Sequence, residues 1–169
     1  MHSPFMFNLI LNVIRDRGRR FAYPVELEKG LGHREKKVFR LVSRLVRHLN
    51  VKHIVCWGTD ASKVGDYLNA IGSDVKVGIN EPVIASNADF VFIGRNARNY
   101  LPGDYLVSGL LVEGNKQKCI IITDIYKSAF AGRLWRQLGE KATVRVDMMW
   151  YGILFFDEKL QKGRYNLII

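Results

Sequence analysis

The stretch Ile54-Val55-Cys56-Trp57-Gly58-Thr59-Asp60-Ala61-Ser62-Lys63-Val64-Gly65-Asp66-Tyr67-Leu68 decides the fold. Its first four residues make a short apolar strand, Gly58 makes a tight turn, and a helix follows. Units of this kind open cofactor-binding α/β folds, where loop glycines let the backbone approach a ligand closely. Here the first glycine is present, while Asp60 and Ser62 stand at the later positions.

Outward from this unit, apolar runs alternate with helical stretches. Strands are predicted at His53–Trp57, Val75–Ile79, Phe90–Ile93 and Cys119–Thr123, with helices at Ala61–Ile71, Tyr105–Val112 and Ser128–Leu138. Such alternation implies a parallel sheet covered on both faces. Thr143–Trp150, Gly152–Phe156 and Arg164–Ile169 then follow as three strands without intervening helices. Their short connections predict antiparallel pairing.

Upstream, Val38, Leu41, Val42, Leu45, Val46 and Leu49 keep the i, i+3, i+4, i+7 spacing of an amphipathic helix. Arg40, Arg44 and Arg47 take its other side, and Phe21 to Gly32 reads as a connector. Pro4 to Ile14 reads as a mostly buried helix capped by Ser3. It is too short for the roughly 20 residues a bilayer span needs, and it lacks the flanks of a signal peptide. One domain is expected: an N-terminal helical extension, 1–52, and an α/β core, 53–169.

The net charge of +10 is uneven. Residues 1–53 hold 12 Lys+Arg against 4 Asp+Glu, and residues 54–169 hold 14 against 12. A basic segment can attract nucleic acid or another anionic partner. No aromatics interleave with the arginine stripe, so a solvated face is the simpler reading and nucleic acid has little support. Cys56 and Cys119 each lie within an apolar run, which fits burial as small hydrophobes in a reducing cytoplasm. The histidines lack ligand spacing, and there is neither a P-loop nor a nucleophile elbow. Glu26 and Glu28 read as a solvated connector.

Several segments resemble class I S-adenosylmethionine-dependent methyltransferases, specifically a bacterial, O-methyltransferase-like group. These are His2-Ser3-Pro4-Phe5-Met6-Phe7-Asn8-Leu9-Ile10, Ile122-Thr123-Asp124-Ile125-Tyr126-Lys127-Ser128 with Trp135, and Val146-Asp147-Met148-Met149-Trp150-Tyr151-Gly152-Ile153-Leu154-Phe155-Phe156. The resemblance implies a shortened Rossmann-like methyltransferase fold, α/β in class. Its central sheet would be mostly parallel, with antiparallel C-terminal strands.

It also implies site residues. Gly58, Thr59, Asp60, Asn80, Glu81 and Gly94 would line the cofactor side, and Asp124 and Tyr126 are the catalytic candidates near a methyl acceptor. Departures from the family pattern are concentrated there. Cys56 replaces the acid before the glycine loop. Asn80 falls at the acidic ribose-binding position, which Glu81 reaches only by a one-residue shift. Residues 81–89 leave no room for the usual further helices and strand of the adenine pocket.

Gly94 replaces an expected aspartate, and Asp124 has Thr123 rather than a second acid beside it. One carboxylate makes a poor site for a hard cation, so no metal is expected. Asp60 has an ordinary reading as the N-cap of the helix from Ala61. Asp124 reads structurally as a turn or capping residue, and Asp147 as satisfying turn amides. Tyr126 and Trp150 would line an acceptor pocket or pack at its rim.

The expectation is a methyltransferase-like protein whose S-adenosylmethionine binding is weakened or lost. Three alternatives stand beside it: a non-catalytic scaffold or regulatory domain with a protein partner or a homodimeric contact, an active small-molecule O- or N-methyltransferase, and a basic nucleic-acid module. Membrane insertion is not expected.

Overall fold

The computed structural model of the chain describes residues 8, 13–14, 22–81, 88–100, 118–157, 160 and 162–167. Most of the expected Pro4 to Ile14 helix, the adenine-side connection at 82–87 and the expected Tyr105–Val112 helix lie outside them. The described elements run in chain order as α1 (Val25–Glu28), α2 (His33–His48), β1 (His53–Trp57), α3 (Ala61–Ala70), β2 (Lys76–Ile79) and β3 (Phe90–Ile93). A 3₁₀ turn (Ala97–Asn99) follows, then β4 (Cys119–Thr123), α4 (Ala129–Lys141), β5 (Val144–Asp147), β6 (Tyr151–Phe155) and β7 (Gly163–Asn166).

The strands form a seven-stranded sheet in the order β2-β1-β3-β4-β6-β5-β7. β2, β1, β3 and β4 pair in parallel, and β6 runs antiparallel between β4 and β5. The chain is thus α/β with a mostly parallel sheet, compatible with a Rossmann-like fold. The last strand departs from expectation: β7 pairs parallel with β5, Val146 opposite Tyr165. A short connection dictates antiparallel pairing only between strands that become neighbours. β7 passes beyond β6 and joins the far side of β5.

Alternation of side chains along each strand sorts the core into two layers. Ile54 and Cys56, Phe90 and Phe92, and Cys119 and Ile121 face α2 and α3. Val55 and Trp57, Val91 and Ile93, and Ile120 and Ile122 face α4 through Leu134, Trp135 and Leu138. Continuously apolar strands follow from this two-sided cover.

α2 delivers the stripe read from its spacing: Val38, Leu41, Val42, Leu45 and Val46 are buried, and Phe39 joins them. Phe39 meets Tyr67 of α3 and Phe92 of β3 edge-on, at centroid separations of 5.7 and 6.4 Å. Full burial of such side chains contributes about 1.5–3 kcal/mol each. The helix begins with the Glu35 carboxylate accepting the Gly32 N–H at 3.1 Å. It ends with Arg47 and His48 in the last turn, cations that suit a helix C-terminus. The N-terminal segment is therefore one layer of the sandwich. On the opposite face, Trp135 of α4 lies flat on Gly152 of β6, in the space a Cβ would fill.

Two sequence expectations give way at α2. Its arginines are not a solvated stripe. Arg40 makes a two-pronged bond to Glu28, with Nε to Oε2 at 2.6 Å and Nη2 to Oε1 at 2.8 Å, and stacks on Tyr23 at 4.2 Å. Arg44 donates to the carbonyls of Val13 and Ile14 and to the Tyr23 hydroxyl. Nor is Glu28 a solvated connector residue: it is 7% exposed and also accepts from the Tyr67 hydroxyl at 2.9 Å. The Arg40 bond holds the Glu28 carboxyl below its ordinary range. The connector folds back over α2, and the helix uses its charged side to hold it. Arg47 remains exposed.

Candidate functional site

Ligands of open α/β sheets bind beyond the C-terminal ends of the strands. At that end, residues after five strands take left-handed backbone angles: Gly58 (φ 127°), Asn80 (φ 52°), Asn96 (φ 58°), Asp124 (φ 57°) and Met149 (φ 79°). Glycine is required at 58, since a Cβ would stand 2.6 Å from the Arg95 carbonyl oxygen.

The loops after β1, β2 and β3 are bonded to one another. Gly58 N–H donates to Asn80 Oδ1 at 2.8 Å, and Asn80 Nδ2 donates back to the Gly58 carbonyl at 3.3 Å. Thr59 N–H donates to the Arg95 carbonyl at 2.8 Å, with its hydroxyl on the same oxygen at 3.3 Å. Gly94 N–H donates to the Trp57 carbonyl at 2.7 Å.

Asp60 sits at the N-cap position of α3, but its side chain makes no capping bond. Its Oδ1 instead accepts the Arg95 N–H at 3.1 Å, and the carboxylate fills the space over Gly94. The capping expectation is corrected: the partner comes from a loop 35 residues away, where a bare Gly94 leaves room. Burial pushes the Asp60 carboxyl above its ordinary value, and the Arg95 N–H bond opposes that rise. Cys56 points into the core, where burial raises its thiol. Glu81 is exposed and turns back along β2, its Oε2 3.7 Å from where a Gly78 Cβ would stand. Among the cofactor-side candidates, Gly58, Thr59, Asp60, Asn80 and Gly94 are thus brought together, and Glu81 is not.

On the other side, the Asp124 carbonyl closes a turn by accepting the N–H groups of Lys127 and Ser128. Ser128 caps α4, its hydroxyl accepting from Ala131 N–H at 3.3 Å. Tyr126 is 69% exposed and donates its hydroxyl to Asp147 Oδ2. Asp147 Oδ1 accepts the Met149 N–H at 2.8 Å, the turn-amide role expected of it. Asp124 and Tyr126 come from one turn but serve different surroundings.

Asp124 lines a cleft of about 70 Å³ between the start of α2 and the ends of β3 and β4. Arg34, Arg95, Lys127 and Trp150 share it, over Phe39 and Phe92. Tyr126 is not among its described lining. The Arg34 guanidinium stacks over Trp150, 5.6 Å from the ring centroid. Trp150 thus fits the pocket-lining reading offered for it. The three cations escaped sequence reading, although Arg95 and Lys127 stand just past β3 and β4, where strand ends collect ligands. A larger cavity, about 510 Å³, lies at the opposite pole beside Asn50, Val51, Ser73 and Asp74, before β1 and β2.

Among the described residues, no three His, Cys, Asp or Glu side chains gather as a metal site, and no helix is long and apolar enough to cross a membrane. No protein family, curated protein or solved structure matches the chain.

Proposed function

We infer that this chain is a methyltransferase-like protein of the class I, S-adenosylmethionine-dependent type in which the cofactor side has been closed, leaving a binding or regulatory domain. The single observation that carries this reading is the reciprocal bond pair between Asn80 and Gly58. In the resemblance, position 80 would receive the ribose hydroxyls, and the Gly58 loop would present backbone to the cofactor. Here both polar atoms of the Asn80 amide and both backbone polar groups of Gly58 are spent on each other.

Two further features agree. The Asp60 carboxylate occupies the space over Gly94, where it would face the carboxylate of a methionine moiety. The adjoining cleft of about 70 Å³ is far below the roughly 300–1,000 Å³ typical of small-molecule sites. The kinship itself is supported by β6, which lies antiparallel between β4 and β5 where the resemblance implies reversed C-terminal strands. Calorimetric titration with S-adenosylmethionine and S-adenosylhomocysteine tests the reading. Silence up to millimolar ligand is expected; saturable micromolar binding would overturn it.

A further inference from the structure

The cleft beside Asp124 has a charge pattern that the closed cofactor loop does not explain. Of its three carboxylates, two are engaged. Glu35 accepts the Gly32 N–H and lies 3.6 Å from Lys63 Nζ, and Asp60 accepts the Arg95 N–H. Among the described residues, no side-chain hydrogen bond or ion pair engages Asp124, Arg95 or Lys127. The lining therefore offers three cations, with Arg34 already ordered on Trp150, and one unspent carboxylate. Its floor is apolar, formed by Phe39 and Phe92.

We propose that this cleft binds a small carboxylic acid that carries a neighbouring hydrogen-bond donor, amino or hydroxyl. Excess cation selects the ligand's carboxylate, and Asp124 accepts from the adjacent donor. The apolar floor suits a short carbon stem, and the volume admits no nucleoside. The site lies at the ends of β3 and β4 rather than at the Gly58–Asn80 contact, so it goes beyond the functional reading above.

The test is a titration of the full chain with L-alanine, L-lactate and propionate, read by tryptophan fluorescence. Trp57 and Trp135 are buried, and Trp150 is the tryptophan at the cleft. Saturable millimolar binding of alanine or lactate is expected, with propionate at least about tenfold weaker. Whichever of the two binds identifies the donor. The double substitution Arg95→Gln/Lys127→Gln is expected to weaken binding at least about tenfold. Asp124→Ala should erase the preference over propionate. These positions are on the surface or at the cleft wall, and circular dichroism checks that each variant is folded. A linear response to every acid, or binding indifferent to the variants, would overturn the proposal. S-adenosylmethionine is titrated separately: micromolar binding there would overturn the closed-loop reading, while the acid site stands or falls on its own variants.

Discussion

Asn80 Oδ1 accepts the Gly58 N–H at 2.8 Å while Asn80 Nδ2 donates to the Gly58 carbonyl at 3.3 Å, so one side-chain amide ties the end of β2 to the turn after β1. Asn suits the position twice over. Its amide carries both a donor and an acceptor, and it tolerates the left-handed φ of 52° better than most residues. Asn80→Ala loses both advantages and should cost about 2–3 kcal/mol in chemical denaturation. Asn80→Gly keeps the backbone angle and should cost about 1 kcal/mol, the share of the bonds alone. Equal stability of both variants and the parent would show that the tie holds nothing.

Gly94 is glycine because of Asp60. A Cβ at 94 would collide with the Asp60 carboxylate and stand 2.8 Å from Phe92 Cε1. Gly94→Ala is expected to cost about 1–3 kcal/mol. In an Asp60→Ala background the cost should shrink, with a coupling of at least about 0.5 kcal/mol and a remainder from Phe92. Strict additivity of the two substitutions would mean that Asp60 does not occupy that space.

Glu28, Arg40 and Tyr67 form a network that fastens the connector to α2 and α3. Because the folded carboxyl of Glu28 lies below its ordinary value of 4.5, its contribution is full above that pH. It is lost as pH falls through the lower folded value. Glu28→Gln should therefore flatten the acid limb of the stability profile. At neutral pH, Glu28→Ala should cost no more than the low end of the roughly 3–5 kcal/mol seen for broken buried pairs, since the Arg40 side chain is 33% exposed. An unchanged acid limb in Glu28→Gln would remove the network from the account.

Helix α2 and six of the seven strands were legible in the sequence because each carries the period of its own structure. The pairing of β7 was not. Which neighbour a strand chooses depends on where the chain re-enters the sheet, and the connection after Phe156 carries no periodic sign of that. The arginines teach a similar lesson. Helical spacing places Arg40 and Arg44 away from the stripe of apolar residues, but it does not reveal that residues 13, 14, 23 and 28 cross that side. Asp60 was placed correctly at the start of α3 and misread in role, because its partner Arg95 lies on another loop. Local signals state what a residue can do; the fold decides with whom.

Tyr126 offers a spectroscopic check on the far side of the site. Its hydroxyl donates to Asp147, which disfavours the phenolate and holds the group above its ordinary value of 10.0. Ultraviolet titration of the parent minus Tyr126→Phe should show one tyrosine ionising above that value. Asp147→Asn should bring it back towards 10.0. A difference titration unaffected by Asp147→Asn would mean that the contact does not exist in solution.

The most direct measurement concerns the Gly58 amide, the group whose commitment to Asn80 closes the loop. In a ¹⁵N-labelled sample, its N–H is expected to exchange slowly with solvent. Its resonance should remain in place as S-adenosylmethionine is raised to millimolar concentration. Fast exchange in the free protein, with a resonance that shifts and saturates at micromolar S-adenosylmethionine, would contradict the account.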